Sequence, residues 1–209
     1  MRDLVSIVIP TYNRSQIIGP TIESAINQTY TNCEILVIDD GSTDDTKEVV
    51  GEYMEKWFGR IRYFRKENAG IASTLNEGIR RMNGTWFKWL SSDDVLWPTA
   101  VEELLGVARR EENRAFVYSH YFIIDDRGQF VGALLEPSYR GMDFVAALWD
   151  HHIGNGSSAL IHRSVFDGVG TFDTRLGFGE DYEFWLRCAV VREIIPRLCP
   201  RFLLNYRVH

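Results

Sequence analysis

The chain has 209 residues, of which 45% are hydrophobic and 25% charged, and its formal net charge is −6 at pH 7. These values are ordinary for one globular domain with a continuous core. The acidic balance argues against non-specific binding to nucleic acid. No apolar run reaches the ~20 residues that a membrane-spanning helix needs, and the N-terminus lacks a signal-peptide pattern. The three separated cysteines, Cys33, Cys188 and Cys199, indicate reduced, mostly buried thiols. We therefore expect a cytoplasmic protein.

The first 95 residues alternate between apolar, β-branched runs and stripes of apolar residues at helical spacing. This alternation predicts a parallel, doubly wound α/β sheet with right-handed crossovers. The predicted strands cover residues 4–10, 34–40, 60–65 and 85–90. The predicted helices lie between them, at residues 15–28, 49–57 and 71–82.

The remaining residues show a mixed pattern of helices and strands. A helix near 99–110 precedes a hairpin, whose strands are predicted at 115–124 and 129–135 around a turn at 125–128. The less regular residues 136–156 predict a mobile or substrate-facing loop. Further predicted elements are a strand at 157–162, a helix at 180–191 and a strand at 202–208. We expect one domain over residues 1–209, with a nucleotide-binding half at 1–95 and a second half at 96–209 that binds something else.

Two adjacent carboxylates, Asp93 and Asp94, come just after the fourth predicted strand, and Pro98 follows. In open α/β sheets, ligands bind beyond the carboxyl ends of the strands. Two neighbouring acids repel each other unless a cation joins them. The pattern therefore indicates a divalent metal site, although an alternative explains these residues equally well. The alternative is a helix N-terminus that Asp94 caps and Pro98 continues.

Five motifs occur in order along nearly the whole chain, and together they resemble the inverting family 2 glycosyltransferases. They are Ser6-Ile7-Val8-Ile9-Pro10-Thr11-Tyr12-Asn13, Val37-Ile38-Asp39-Asp40-Gly41-Ser42-Thr43-Asp44, Asn68-Ala69-Gly70 with Asn76, Ser92-Asp93-Asp94, and Gly179-Glu180-Asp181-Tyr182-Glu183-Phe184-Trp185. Each motif is weak by itself, but their combination is specific. The resemblance implies the GT-A fold, which has a Rossmann-like, mostly parallel central sheet flanked by helices and a smaller mixed acceptor-side half.

The resemblance assigns the first three motifs to the nucleotide-sugar. The Tyr12 ring would stack on the base, since an aromatic face binds with little loss of entropy, and Asp40 would accept the N–H of a pyrimidine. Asp39 is given a structural role, and the alternative for both acids is helix capping. A helix N-terminus would face the pyrophosphate. The residues expected to bind the donor here are Pro10, Thr11, Tyr12, Asn13, Asp40, Asn68, Gly70 and Asn76.

The fourth motif and the last residue correspond to the metal site of the family. Alignment from Pro98 places Asp93 at the metal-binding acid and Ser91 at the acid that contacts the ribose, so Ser91 brings no charge. Ser91, Ser92 and Asp94 are expected beside the donor. The terminal His209 is expected to return to the metal. Oxygen ligands and phosphate favour Mn²⁺ or Mg²⁺ over zinc.

The fifth motif contains the acid that similar enzymes use as the general base. A base must take the proton of the acceptor hydroxyl as it attacks the anomeric carbon, and the resemblance assigns this role to Asp181 beside Glu180. An acid pair at a helix N-terminus is the alternative. The chain departs from the family at Ser91 and at Leu75, where family members often carry arginine.

These assignments predict a metal-dependent inverting glycosyltransferase, with a UDP-sugar as donor and a glycan or lipid-linked acceptor. The protein would act in the synthesis of cell-surface glycan or polysaccharide, in the cytoplasm or against the inner face of the membrane. One alternative is an inactive nucleotide-sugar-binding module, which the departures at Ser91 and Leu75 favour. Another is a sugar nucleotidyltransferase, but the residues after the first strand, 10–14, lack the glycine-rich basic loop of those enzymes.

Overall fold

The computed structural model describes residues 3–110, 116–139, 145, 146, 148, 155–192, 194 and 196–209. The strands in this part of the chain are β1 (Val5–Thr11), β2 (Cys33–Asp39), β3 (Ile61–Arg65), β4 (Trp86–Trp89), β5 (Val95–Leu96), β6 (Phe116–Ile124), β7 (Phe130–Leu134), β8 (Leu160–His162) and β9 (Arg197–Arg207). The helices are α1 (Ile18–Ile26), α2 (Thr46–Lys56), α3 (Ile71–Arg81), α4 (Ala100–Ala108), α5 (Arg163–Val169) and α6 (Glu180–Arg192), and a short 3-10 helix covers Gly156–Ser158.

A single sheet contains all of these strands, in the order β3-β2-β1-β4-β8-β6-β9-β5, and β7 pairs with β6 outside this order. The first four strands are mutually parallel: β1 lies between β2 and β4, and β3 pairs with β2. This part confirms the predicted doubly wound half. The hairpin of β6 and β7 is also confirmed, since the two strands are antiparallel.

Two apolar layers cover the sheet, one on each face. α1, α2 and α4 pack on one face, and α3, α5 and α6 pack on the other. All seven residues of β1 are buried, as expected for a central parallel strand with both faces covered. Cys188 and Cys199 are buried thiols, while Cys33 is partly exposed. None of the described helices is long and apolar enough to cross a bilayer.

Some elements differ from the prediction, most clearly in the second half. β5 has only two residues, and α5 lies in a segment for which no helix was predicted. β9 begins at Arg197, not near residue 202, and its pairing with β6 shifts register between Cys199 and Phe202. Pro200 lies inside this shift and has no N–H to donate, so proline occurs in strands mainly at such irregularities. The predicted start of β6, at residue 115, lies outside the described residues.

Candidate active site

The carboxyl ends of the central parallel strands open into one cleft of about 1060 Å³. Ligands bind at this edge in open α/β sheets. The N-terminus of α6 and the end of β9 also line this cleft. The predicted site residues that line the cleft are Pro10, Thr11, Tyr12, Asp40, Asn68, Gly70, Ser91, Ser92, Asp93, Asp181 and His209.

At the end of β1, Tyr12 exposes 47% of its surface, so a face of the ring is available to a ligand. Asp40, at the end of β2, is more constrained. Its carboxylate accepts the N–H groups of Ala69 at 3.0 Å and Gly70 at 2.8 Å, and it pairs with the ammonium of Lys66. A carboxylate has about four acceptor positions, so Asp40 orders the loop before α3 and keeps an acceptor position for a further donor.

Asp39, the neighbour of Asp40, has a structural role. Its carboxylate is fully buried. It accepts the N–H of Ser42 at 2.8 Å and the hydroxyl of Tyr63. These contacts fix the turn after β2, which matches the role expected from the sequence.

Three residues expected at the donor, Asn13, Asn76 and Asp94, lie outside the lining of the cleft, and the two asparagines support loops around it. The Asn13 amide oxygen accepts the N–H of Thr43 at 2.8 Å, so it holds the turn after β2. The amide of Asn76 makes two hydrogen bonds to the backbone of Phe172, donating to the carbonyl at 2.8 Å and accepting the N–H at 2.9 Å.

The N-terminus of α3 faces the cleft, where Gly70, Ile71 and Thr74 are part of the lining. Gly70 has a φ of 86°, and a Cβ there would have no neighbour within 4 Å. The glycine therefore serves backbone conformation and not a close approach. Leu75, where the family often has arginine, is fully buried in the core, so this position offers no cation to a phosphate.

Asp93 and His209 meet at the rim of the cleft, as the sequence predicts. The His209 Nε2 lies 3.0 Å from the Asp93 Oδ2, and the Arg14 guanidinium lies 3.8 Å from the same oxygen. Among the described residues, no group of three or more His, Cys, Asp or Glu side chains could hold a metal by itself. Mg²⁺ commonly binds to one or two protein ligands together with substrate phosphates. This donor set therefore fits a cation that is shared with a diphosphate.

Asp94 lies behind Asp93, fully buried and outside the lining. Its carboxylate accepts the backbone N–H of Arg207 at 3.0 Å and the amide of Asn155 at 3.3 Å. Burial and then the charge of Asp93 raise the pKa of Asp94 to about 7, against the hydrogen bonds that favour its charged form. The alternative of a helix cap is wrong for this acid, since α4 begins at Ala100, after Thr99.

Glu180 and Asp181 begin α6 and line the same cleft. The Asp181 Oδ1 accepts the N–H of Tyr182 at 2.7 Å, which orients the carboxylate. Glu180 is 9% exposed. Burial raises the pKa of Glu180, and the neighbouring charge of Asp181 raises it further.

Sequence reasoning missed several residues that line the cleft, among them Arg14, Asn155, Tyr206 and Arg207. Arg14 directly follows the first motif, which is a usable signal. Asn155 falls in the segment predicted to face substrate. Burial raises the pKa of Tyr206, and the carboxylates of Asp94, Asp93 and Asp181 add to the shift. Tyr206 and Arg207 lie in β9, whose strand periodicity alone does not show that these residues reach the cleft.

Comparisons with known proteins agree with this geometry. The family model described as glycosyl transferase family 2 matches residues 6–170. The chain belongs to glycosyl transferase family 2. An uncharacterized glycosyltransferase of Rickettsia typhi is 35% identical over 210 residues, which cover 99% of this chain and 64% of that protein. The chondroitin synthase of Escherichia coli is 33% identical over 205 residues, covering 97% of this chain and 29% of that protein.

Solved structures show the same fold for this glycosyltransferase. Residues 1–349 of S. aureus TarS in complex with UDP align with a TM-score of 0.76 at 18% identity, covering 98% of this chain and 60% of that one. The complex of the same TarS residues with UDP-GlcNAc aligns with a TM-score of 0.77 at 17% identity. The GT-A fold expected from the sequence is thereby confirmed. The chain spans less than two thirds of the length of these relatives.

Proposed function

We propose that this glycosyltransferase is a metal-dependent, inverting enzyme that transfers a sugar from a UDP-sugar to an acceptor hydroxyl. The observation that carries the proposal is the arrangement of the cleft: Tyr12, Asp40 and Asp93 lie at the strand ends, and Asp181 faces them from α6. Binding of UDP and UDP-GlcNAc by the structurally similar TarS supports the choice of nucleotide. Similarity to the chondroitin synthase supports a role in polysaccharide synthesis.

In this proposal the donor lies along the strand ends. The Tyr12 ring stacks on the base, and the remaining acceptor position of Asp40 takes a base N–H. Ser91 and Ser92 provide hydroxyls to the ribose side. The diphosphate lies between the N-terminus of α3, whose dipole favours negative charge, and Asp93. Family members often carry an arginine at the position of Leu75. Here Arg14 supplies a cation close to Asp93 instead.

Asp93 and His209 would hold Mn²⁺ or Mg²⁺ together with the diphosphate. When bound, the cation would stabilise negative charge on the departing nucleoside diphosphate. Asp181, at the start of α6, accepts the proton of the acceptor hydroxyl, and the hydroxyl attacks the anomeric carbon from the side away from the leaving group. Direct displacement of this kind inverts the anomeric centre.

We further propose a glycan or lipid-linked acceptor, in the cytoplasm or at the inner face of the membrane. An inactive nucleotide-sugar-binding module is the second candidate, because Ser91 carries no charge and Leu75 is buried in the core. The two candidates differ in one measurable property. An enzyme releases UDP from its sugar donor over time, whereas a binding module retains the donor intact.

Calorimetry of UDP with and without Mn²⁺ tests the donor site. We expect chelation of the metal and the Asp93→Asn substitution to weaken UDP binding strongly, because both remove the cation that joins the protein to the diphosphate. Tyr12→Ala should weaken UDP binding by ~1–3 kcal/mol, the scale of base stacking on an aromatic ring. Arg65→Ala is a control, since this guanidinium faces Asp39 outside the cleft. If neither the chelator nor Asp93→Asn changes the affinity for UDP, the metal assignment is contradicted.

A further inference from the structure

A lysine lies fully buried in the middle of the central strand β4, directly below the acidic loop. Lys88 has no exposed surface. Its ammonium donates to the carbonyl of Trp89 at 2.9 Å and to the carbonyl of Ser157. Burial of an ammonium group costs several kcal/mol unless hydrogen bonds and an opposite charge compensate it. A residue this costly in a core position requires a reason beyond packing.

Ser157 connects this lysine to the loop between β4 and β5. The Ser157 hydroxyl accepts the N–H of Ser91 at 2.9 Å and donates to the Ser91 hydroxyl at 3.0 Å. The backbone N–H of Ser157 donates to the Asn155 side chain at 2.7 Å, and the Asn155 amide in turn donates to Asp94. Lys88 thus binds the backbone carbonyl of Ser157, and the hydroxyl of Ser157 holds Ser91 at the beginning of the acidic loop.

The turn that follows Ser91 is short. Asp93 and Asp94 are adjacent acids in it, and the N–H of Asp94 donates to the carbonyl of Ser91 at 3.1 Å. Ser91 therefore begins this turn, and its contacts with Ser157 connect the turn to Lys88. Lys88 is a hydrogen-bond anchor for the turn.

We propose that Lys88 is a positioning residue for the donor diphosphate: through Ser157 it holds the turn from Ser91 to Asp94 in the geometry that presents Asp93. This inference rests on the proposed function, since Asp93 must hold the cation of the diphosphate. Lys88 touches no ligand itself. The network also explains how Ser91 can occupy the position of a family acid, because a hydroxyl that is hydrogen-bonded to Ser157 orders the turn without adding a third negative charge.

Two substitutions separate positioning from general stability. Lys88→Met keeps the length of the side chain and removes the ammonium. The carbonyls of Trp89 and Ser157 then lose this donor, which costs some stability, so binding is compared in the folded protein only. Ser157→Ala leaves the carbonyl bond to Lys88 intact and removes the hydroxyl that holds Ser91 and also contacts Asp94. Trp86→Phe is the matched control on the same strand, since its indole N–H has no hydrogen-bond partner and its ring packs on His162 at a distance of 4.9 Å between centroids.

The measurement compares UDP with saturating Mn²⁺ to uridine, which carries no phosphate. We expect both variants to weaken UDP–Mn²⁺ binding about tenfold or more and to keep the uridine affinity within about twofold. The unfolding temperature should fall in Lys88→Met, which loses two buried hydrogen bonds, and should stay near that of the wild type in Ser157→Ala. Trp86→Phe should retain both affinities. Paramagnetic resonance of Mn²⁺ in the presence of UDP should show a changed metal environment in the two variants only.

Each other outcome is decisive as well. Folded variants with wild-type UDP–Mn²⁺ affinity would overturn the inference, and so would an equal loss of uridine and UDP binding, which indicates a general structural role. If Lys88→Met does not fold, Ser157→Ala decides alone, because it leaves the lysine in place. If the wild type itself does not bind UDP with Mn²⁺, the proposed function fails first and this inference falls with it.

Discussion

Glu180 and Asp181 are neighbours in sequence but differ in environment. Glu180 is largely buried and its pKa is raised. Asp181 accepts the N–H of Tyr182, so the first turn of α6 fixes its orientation toward the cleft. A general base must reach the acceptor proton in a defined geometry before its basicity matters. The structure therefore keeps Asp181 as the proposed base and gives Glu180 the role of a supporting acid.

Asp181→Asn should reduce turnover by ~10²–10⁴-fold, because it keeps the shape of the side chain and removes the group that takes the acceptor proton. Binding of UDP with Mn²⁺ should stay nearly unchanged, because the residues proposed to bind the donor lie at the strand ends and not in α6. Steady-state kinetics and calorimetry on the same preparations check both expectations. Glu180→Gln is the matched control: if that variant loses turnover while Asp181→Asn remains within a few-fold of the wild type, the base is Glu180.

The position of single residues at the cleft could be predicted from the sequence where they follow a buried strand at once or within a few residues. Tyr12 and Asp40 directly follow β1 and β2, and Asp93 comes four residues after the end of β4. The parallel sheet brings its strand ends to one edge. The cleft residues that were missed come from elsewhere. Arg207 lies in a strand whose periodicity does not show which side chain reaches the cleft. Asn76 shows the reverse case. It is a polar residue in a motif that matches the family, but its side-chain amide is hydrogen-bonded to the backbone of Phe172.

At the scale of elements, the packing of α3 on β1 positions the helix N-terminus that faces the cleft. A Cβ on Gly78 of α3 would lie 2.3 Å from the Cγ1 of Val8. Val8 is fully buried and β-branched, so its side chain cannot easily change rotamer to make room for a Cβ. Gly78 therefore permits the close approach of this helix to the sheet.

Gly78→Ala should destabilise the protein by ~1–3 kcal/mol, the usual cost of overpacking a core, despite the better helix propensity of alanine. Gly51→Ala in α2 is the matched control, because a Cβ there meets nothing within 4 Å. That control should be neutral or stabilise the protein by up to ~1 kcal/mol. Urea denaturation of the three proteins measures both effects. Equal stability of Gly78→Ala and the wild type would mean that α3 can move away from β1 at no cost.

Element type could be predicted where the apolar period is long, as in α3 or β2. The failures have local causes. The two residues of β5 are too few to show any hydrophobic period. They form a strand only because they pair with β9. The beginning of β9 was missed because Pro200 suggests a break, while the actual chain continues through a register shift. Tertiary pairing decides both cases.

At the scale of the whole molecule, the two predicted halves share one sheet. β8 of the second half pairs with β4 of the first, and β5 pairs with β9 near the end of the described chain. Parallel pairing of β6 with β9 joins strands that are far apart in sequence. The alternation of the first half could be predicted because each crossover is local, but such distant pairing leaves no local pattern. The division near residue 95 is therefore proposed as a functional one, within a single folding unit.

Phe184→Ala in α6 tests whether the halves unfold together. Phe184 is fully buried among aromatic side chains of the second half, with ring centroids 4.8 Å from Phe172 and 5.5 Å from Phe166. Removing the ring should cost ~3–5 kcal/mol. If the shared sheet makes unfolding cooperative, slowly exchanging amides in β2 and in β6 should lose protection by the same factor, roughly 10²-fold to 4 × 10³-fold at 1.4 kcal/mol per tenfold.

Native-state hydrogen exchange, followed residue by residue, measures this change in both strands. Phe58→Ala is the control, because its ring is 94% exposed and its removal should leave both strands equally protected. Unchanged protection in β2 with lost protection in β6 would contradict the single folding unit. A shared loss has a functional consequence: core mutations far from the cleft would then weaken donor binding by unfolding both halves at once, since Asp93 belongs to the first half and Asp181 to the second.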